Sequence, residues 1–531
     1  YRYALDAIQV GSISLDRELE AVLREFLADQ TELGGIDTND SYLQIAIEIQ
    51  NAWEVVRFWA DERYQLVIDH IRVLNLSEYS NYHAMLDIWK AYSYIYLGNS
   101  ELAKALLDKS IAYLESSSFE ELNLVEQPLE IWQTAVVLAL GFRVRGYLLR
   151  SSGKLRSSLP DYRRSISLYR SADFQVELAI ALNDYGLIQT ELGEHESGRS
   201  VVERSMKIRR RFGSPSHVAY SMNTLALVQI ANEQPGKAMR SAGQAGIVFK
   251  RMGFERGEGL TELTLAEACR ELAKVELRSE RLSECESRLK QAVEHANRAL
   301  DIFRKTKEKS RIIQAYMEIG RAYRDMVRVK SQNGEFIDTA KNSEDALSIA
   351  SDLASEIAPR WQIDAYVNLA WLGNYSMNEE MLIQAVENAH KLIEQHYGEY
   401  LIDSPADPKG KPTIEVDDSE MWVWEQIGKL YIARADWYFA QLIKGQTSDN
   451  TGLLKMAVGD YAYALEHNGY GRSGESYHLK RAKERLADRV EGLPKDAQQM
   501  LNELLKDWEE KYLAMSTKSK MRDFLEDNAL L

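Results

Sequence analysis

The chain has 531 residues, of which 45% are hydrophobic and 27% charged, and its formal net charge at pH 7 is −16. This composition is typical of an ordered, helix-rich protein and excludes an intrinsically disordered chain. Its 2 cysteines are too few for a disulfide framework, and no apolar run approaches the ~20 residues of a membrane span, so the sequence predicts a cytoplasmic protein without membrane contact.

Residues 1–80 have the apolar spacing of helices but do not follow the repeat described below. We interpret them as an N-terminal helical cap or as the tail of a preceding domain. The chain begins with Tyr1 and not with methionine, which favours a fragment or a processed product. We therefore expect a further functional domain outside this sequence.

From residue 81 onward, a small residue recurs near the middle of every second predicted helix. In the clearest copies, Gly186 and Asn183 correspond to Ala226 and Asn223 with an offset of 40 residues. A fixed period in this range indicates stacked helical hairpins, because each unit covers the apolar face of its neighbour. The full series of small residues is Ala91, Gly146, Gly186, Ala226, Ala266, Gly320, Ala370 and Gly428.

The spacing after each small residue predicts how a hairpin is built. A glycine or polar residue follows after seven positions and turns the chain, as at Gly193, and a second small residue follows after twelve, as at Gly198. Small side chains at both points allow two helix axes to approach closely. The sequence therefore predicts an all-α fold, an α-solenoid of about eight hairpins that form a right-handed superhelix with helical caps.

The repeat divides the chain into further segments. We expect the array at residues 81–397, followed by a long loop at 398–420, which contains three prolines. A last repeat-like hairpin is expected at 421–470. Residues 471–531 are expected to form capping helices with polar outer faces.

The phrases that join one hairpin to the next carry a family resemblance. SMKIRRRFGSPSHVAYSMNTLALV and ALDIFRKTKEKSRIIQAYMEIGRAY are two of them. They resemble the long-period branch of the tetratricopeptide-repeat family, which includes kinesin light chains and the sensor regions of bacterial signal-transduction ATPases with numerous domains. The resemblance implies a protein-interaction scaffold or a sensor module within a larger signalling protein. The chain lacks the ATPase module of those sensors.

In this repeat class, three positions of the first helix face the groove: three before, one after and four after the small residue. In kinesin-light-chain-like repeats, asparagine at the first of these positions holds the backbone of an extended peptide, and Asn183 and Asn223 match it. An amide both donates and accepts hydrogen bonds, and an arginine grips carboxylates with its forked donors. The candidate groove residues are Arg143, Tyr147, Arg150, Asn183, Asn223, Arg270, Arg321 and Arg324. The alternative is that the asparagines bond the neighbouring helix and the arginines are merely solvated.

The charge of the chain is distributed unevenly. Residues 141–330 contain 35 Lys and Arg against 23 Asp and Glu, a net charge of +12, whereas the flanking segments 1–140 and 331–531 are each at −14. A basic middle predicts an acidic protein or peptide partner, or acidic segments of the chain itself. Nucleic acid is the alternative partner. Against it, the chain has no known reading motif, and aromatic residues do not alternate with the arginines.

Motifs for catalysis are weak. The segment from Gly193 to Ser200 imitates a phosphate loop with Arg199 in place of lysine, but a helix and not a strand is predicted before it. No metal-binding spacing occurs, and Cys269 is interpreted as a buried thiol. We therefore predict no enzyme activity, no cofactor and no metal. Trp422 and Trp424, beside the long loop, are interpreted as core residues or, alternatively, as partner anchors.

Overall fold

A computed structural model describes residues 51–52, 54–59, 63–74, 79–116, 124–126, 128–330, 336–355, 359–397 and 418–444, together with positions 452, 453, 456, 457, 460 and 499. Within these residues every regular element is a helix, so the predicted all-α class is confirmed. The chain divides into two compact units. The first ends at Ala315 and the second begins at Tyr316.

The first unit begins with α1 (Tyr64–Val73), α2 (Asn81–Tyr96), α3 (Ser100–Glu115), α4 (Leu129–Ser151), α5 (Leu155–Ser171) and α6 (Gln175–Glu191). It continues with α7 (His195–Phe212), α8 (Pro215–Ala231), α9 (Pro235–Met252), α10 (Glu255–Arg278) and α11 (Leu282–Thr306). Helix α12 (Lys309–Lys330) contains the division between the units. The second unit continues with α13 (Ile337–Ser355), α14 (Pro359–Ser376), α15 (Glu379–Tyr397) and α16 (Asp418–Lys444).

From α2 onward, each even-numbered helix forms a hairpin with the odd-numbered helix that follows it. We call the even-numbered helices first helices and the odd-numbered ones second helices. All eight small residues predicted from the sequence lie on first helices and are buried. The described residues contain seven complete hairpins, from α2 to α15, and the first helix of an eighth, α16. The predicted number of hairpins is confirmed to that extent.

Helices α6 and α7 approach each other closely enough to exclude a side chain. A Cβ atom added to Gly198 would lie 2.5 Å from the carbonyl oxygen of Gly186 and 2.3 Å from Oγ1 of Thr190. In the next hairpin, Ala226 packs with Ala238 and Ala242 at the corresponding positions. The two hairpins therefore use the same packing, as the offset of 40 residues predicts.

The predicted turn positions have left-handed backbone conformations. Gly193 has a φ of 87°, and Glu233, which occupies the same position in the next hairpin, has a φ of 56°. Glycine adopts this region without steric cost, whereas Glu233 is one of five non-glycine residues with a positive φ in the described part of the chain. The turn is therefore set by the geometry of the hairpin, with or without glycine.

Several sequence predictions fall on other parts of the chain. Residues 1–50, residues 398–417 of the predicted loop and the predicted caps at 471–531, apart from position 499, lie outside the described residues. Helices α10 and α11 have 24 and 25 residues, whereas the helices of the two preceding hairpins have 17 or 18. The division within α12 has no counterpart in the repeat pattern.

Candidate binding surfaces

The first helices of the first unit form one continuous face. Each of α2, α4, α6 and α8 contacts the next first helix, whereas contacts between successive second helices are sparse in the described part of the chain. Helices that lie closer together mark the inner side of a curved stack. We call this side the inner face, and its helices carry six of the eight candidate residues.

Arg143 on α4 lies within the inner face, with 6% of its surface exposed. Its guanidinium is 3.5 Å from Oε2 of Glu177 and 3.9 Å from Oδ2 of Asp184, both on α6, and 5.8 Å from the ring of Tyr92. Burial raises the pKa of Glu177 and of Asp184, and Arg143 opposes the rise in both. These are charge contacts without hydrogen bonds, because Nε of Arg143 and Oε2 of Glu177 have no hydrogen-bond partner among the described residues.

The two predicted asparagines occupy the same position as Arg143 in the next two hairpins. Nδ2 of Asn183 donates to Oγ1 of Thr224 on α8 at 2.9 Å. The Thr224 hydroxyl donates to the carbonyl oxygen of Tyr220, so it can only accept from Asn183, which fixes the orientation of that amide. Asn183 therefore hydrogen-bonds the neighbouring helix, in agreement with the alternative prediction, but only through the nitrogen of its amide.

The amide oxygens of both asparagines lack a hydrogen bond. Asn183 and Asn223 are 6% and 7% exposed, and Oδ1 of each has no hydrogen-bond partner within the described residues. A buried acceptor without a partner costs about 1–3 kcal/mol, and native proteins contain few of them. Together with Nε of Arg143, three successive hairpins present an unsatisfied polar atom at one repeat position.

The other candidates of the first unit contact groups of the chain itself. Arg150 donates to both carboxylate oxygens of Glu191, at 3.1 and 2.6 Å. Arg270 is 6% exposed and pairs with Glu271 at 3.0 Å. The ring of Tyr147 lies 5.5 Å from that of Tyr92, within an aromatic cluster. None of these arginines is merely solvated.

Two candidates belong to the second unit. Arg321 on α12 donates to Oε1 of Glu318 at 2.7 Å and to Asp364 on α14. Arg324 donates to Asp325 and to the amide oxygen of Asn368. Arginines of both units thus join neighbouring first helices within their own unit, whereas Arg270 pairs with Glu271 on its own helix.

One contact links distant hairpins of the first unit and was not predicted from the sequence. Arg256 on α10 donates to Oε1 of the buried Glu308 at 3.1 Å and to the hydroxyl of Tyr96 on α2 at 3.3 Å. Tyr96 stacks on Tyr64, with ring centroids 4.6 Å apart. Residues 160 positions apart therefore touch, which brings α2 and α10 together across the inner face.

The other residues singled out in the sequence have structural roles, as far as they lie in the described part of the chain. Cys269 and Cys285 are buried free thiols, as predicted for Cys269. Gly198, the second glycine of the phosphate-loop imitation, forms the close approach of α6 and α7. The ring of Trp422 lies 4.9 Å from the Arg360 guanidinium and 5.9 Å from the ring of Tyr397, and the Trp424 side chain lies outside the described part. No described helix combines the length and the apolar character that a membrane crossing needs.

Comparison with known proteins gives similarity in fold alone. No protein-family model matches the chain, and no curated protein matches its sequence. A Rap protein complexed with competence and sporulation factor aligns over 82% of this chain and 99% of its own, with 13% identity and a TM-score of 0.45.

Two further solved structures are similar over most of the chain. A signal-transduction ATPase with numerous domains and a tetratricopeptide-repeat sensor, from Pyrococcus horikoshii, covers 90% of this chain and 68% of its own, with 12% identity and a TM-score of 0.37. Aspartyl phosphate phosphatase F from Bacillus subtilis covers 82% and 94%, with 12% identity and a TM-score of 0.40. The predicted resemblance to tetratricopeptide repeats is confirmed by the hairpins themselves, with their small residues at the helix contacts and their left-handed turns.

Proposed function

We propose that this chain is a non-catalytic protein-interaction module that binds an extended peptide segment of a partner along the inner face of the first unit. The observation that carries the proposal is the pair of buried, unpartnered amide oxygens of Asn183 and Asn223 at one repeat position of successive hairpins. Main-chain N–H groups of a peptide supply the missing donors whatever the peptide sequence. In a larger regulatory protein, such a module acts as a sensor or a scaffold.

The contacts around Arg143 support an acidic peptide. Asp184 lies 3.9 Å from Arg143 and also hydrogen-bonds Asn183, its neighbour in sequence. A carboxylate of the ligand takes the place of Asp184 at Arg143 and forms the hydrogen bonds that the internal pair lacks. Movement of Asp184 then uncovers the Asn183 amide for the peptide backbone.

Peptides selected against the whole chain from a display library of short random sequences test this proposal. We expect selected peptides rich in Asp and Glu, with binding weakened by about tenfold or more in the Asn183→Leu/Asn223→Leu variant. Asp184→Asn should strengthen binding, because it removes the internal competitor for Arg143. Lys237→Glu, an exposed change on α9, is the control and should have little effect. Selection that yields no binder, or binders indifferent to the asparagines, contradicts the proposal.

A further inference from the structure

The positive charge of the middle segment is concentrated on second helices, away from the inner face. Helices α5, α7 and α9 together contain 14 Lys and Arg against 3 Asp and Glu. The first helices between them, α6 and α8, contain no Lys or Arg. The basic surface predicted from the sequence is therefore an outer surface of the first unit.

A cleft of about 430 Å³ opens on this outer surface, where α5 and α7 end and α6 begins. Its basic side chains are Arg170, Arg204, Lys207 and Arg211, all exposed. Its apolar side chains are Leu178, Ile208 and Phe212. No carboxylate lines the cleft, and none of the four basic side chains has an acidic partner among the described residues. Phe212 is 47% exposed, with the Arg211 guanidinium 4.9 Å from its ring centroid.

The next hairpin repeats part of this combination forty residues further on, with Gln244 and Ile247 in place of Arg204 and Lys207. Arg210 corresponds to Arg170, and Val248, Arg251 and Met252 correspond to Ile208, Arg211 and Phe212. Ile247 and Met252 on α9 are 55% and 39% exposed. Together with Phe212 on α7, they are the large apolar side chains that these two helices expose. The ends of α7 and α9 thus carry exposed apolar side chains among exposed arginines and lysines, which we call the outer strip.

We propose that the outer strip, with the cleft at Phe212, binds an acidic segment of a partner protein through carboxylates and an apolar anchor side chain. Four unpaired cations around an apolar floor match a ligand that combines negative charge with aliphatic groups. A nucleic acid offers the charge but needs aromatic platforms for its bases, and Phe212 is the sole aromatic residue that lines the cleft. The occupant is therefore a peptide and not a phosphate backbone.

Fluorescence anisotropy with the whole chain tests the proposal. The probe is a short labelled peptide of glutamate and leucine, compared with a glutamate-only peptide and a single-stranded RNA of the same length. We expect the glutamate–leucine peptide to bind best. Phe212→Ser and the pair Lys207→Glu/Arg211→Glu should each weaken that binding by about tenfold. The matched control, Lys237→Glu/Arg240→Glu, changes the net charge equally at the opposite end of α9 and should change binding by less than about threefold.

Each other outcome overturns the proposal. If the glutamate-only peptide binds equally well, or if Phe212→Ser has no effect, the binding is a general electrostatic attraction and not a specific site. An equal loss of binding in the control pair would lead to the same conclusion. Tighter binding of the RNA assigns the strip to nucleic acid. Absence of binding removes the site altogether. The side chains substituted in the outer strip and in the control pair are exposed, so thermal midpoints verify that these variants fold. The Asn183→Leu/Asn223→Leu variant should leave this binding intact, which separates this surface from the inner face.

Discussion

At the scale of single residues, the inner face is notable for polar atoms whose hydrogen bonds are incomplete. The repeat position of Asn183 and Asn223 is occupied in α10 by Leu263, which is 8% exposed. An apolar side chain therefore fits the same environment in a neighbouring hairpin. We therefore expect asparagine at this position to cost stability in the free chain, as the proposed binding role of its oxygen implies.

Asn223→Leu tests this interpretation through stability. It removes an unpartnered buried oxygen, so we expect the free energy of unfolding to rise by about 1 kcal/mol. Asn183→Leu also breaks the bond to Thr224 and should gain less. Urea unfolding of both variants measures the difference. A loss of stability in Asn223→Leu would show that its amide serves the fold.

At the scale of elements, the hairpins depend on backbone contact between their two helices. Gly198 on α7 lies against the backbone of α6, whereas Gly236 in the first turns of α9 has open space where a Cβ would be. The same substitution should therefore have opposite effects at the two glycines.

Gly198→Ala should lower the free energy of unfolding by about 2 kcal/mol, because the added methyl group forces α6 and α7 apart. Gly236→Ala should raise it by about 0.5–1 kcal/mol, since alanine favours the helix and meets no neighbour. Chemical denaturation of the two variants provides the comparison. Equal effects at both positions would contradict the close packing of α6 on α7.

The start of α8 contains a titratable cap. Ser214 and His217 form a capping box in which Nδ1 of His217 accepts from the Ser214 backbone N–H at 3.2 Å. Burial and, to a smaller extent, the nearby Arg209 together lower the pKa of His217 from 6.5 to about 4. As the pH falls, the unfolded chain binds this proton before the folded chain does. The contribution to stability is therefore complete above pH 6.5 and is lost as the pH falls towards 4.

His217→Gln removes the titration and keeps a capping-box side chain at this position. Between pH 7 and pH 4, the unmodified chain should lose up to about 3 kcal/mol more of its unfolding free energy than the variant. Urea titrations across this pH range measure both losses. Parallel pH profiles for the two proteins would show that His217 is not the titrating group.

At the scale of the whole molecule, repeat proteins are held together mainly by contacts between neighbouring repeats. The contact of Arg256 with Tyr96 adds a link between hairpins that are not neighbours in the first unit. Glu308 is fully buried at the same point and pairs with Arg256. This link should make the first unit unfold as one cooperative structure.

Arg256→Met should lower the free energy of unfolding by about 3–5 kcal/mol, because it leaves the Glu308 carboxylate buried without its counter-charge. Arg256→Met/Glu308→Gln should regain much of that loss, since no buried charge remains. Thermal and urea unfolding of the single and double variants test both statements. A cost below about 1 kcal/mol for the single variant would mean that Glu308 does not depend on Arg256 as its counter-charge.

Features that recur in every hairpin could be predicted from the sequence, whereas contacts between different hairpins of the stack could not. Gly186, Gly198 and the turn at Gly193 were predictable because each follows from a fixed spacing along one hairpin. The pairing of Arg143 with Glu177 depends on how α6 is rotated against α4, which spacing does not determine. The contact of Arg256 with Tyr96 depends on the accumulated curvature of four hairpins, so no local pattern indicates it.

The most direct test of the account is a crystal structure of the chain with a peptide selected from the display library. The account predicts a peptide along α4, α6 and α8, with main-chain N–H groups donating to Oδ1 of Asn183 and Asn223 and a carboxylate at Arg143. A peptide bound on another face, with both amide oxygens still unpartnered, would contradict it.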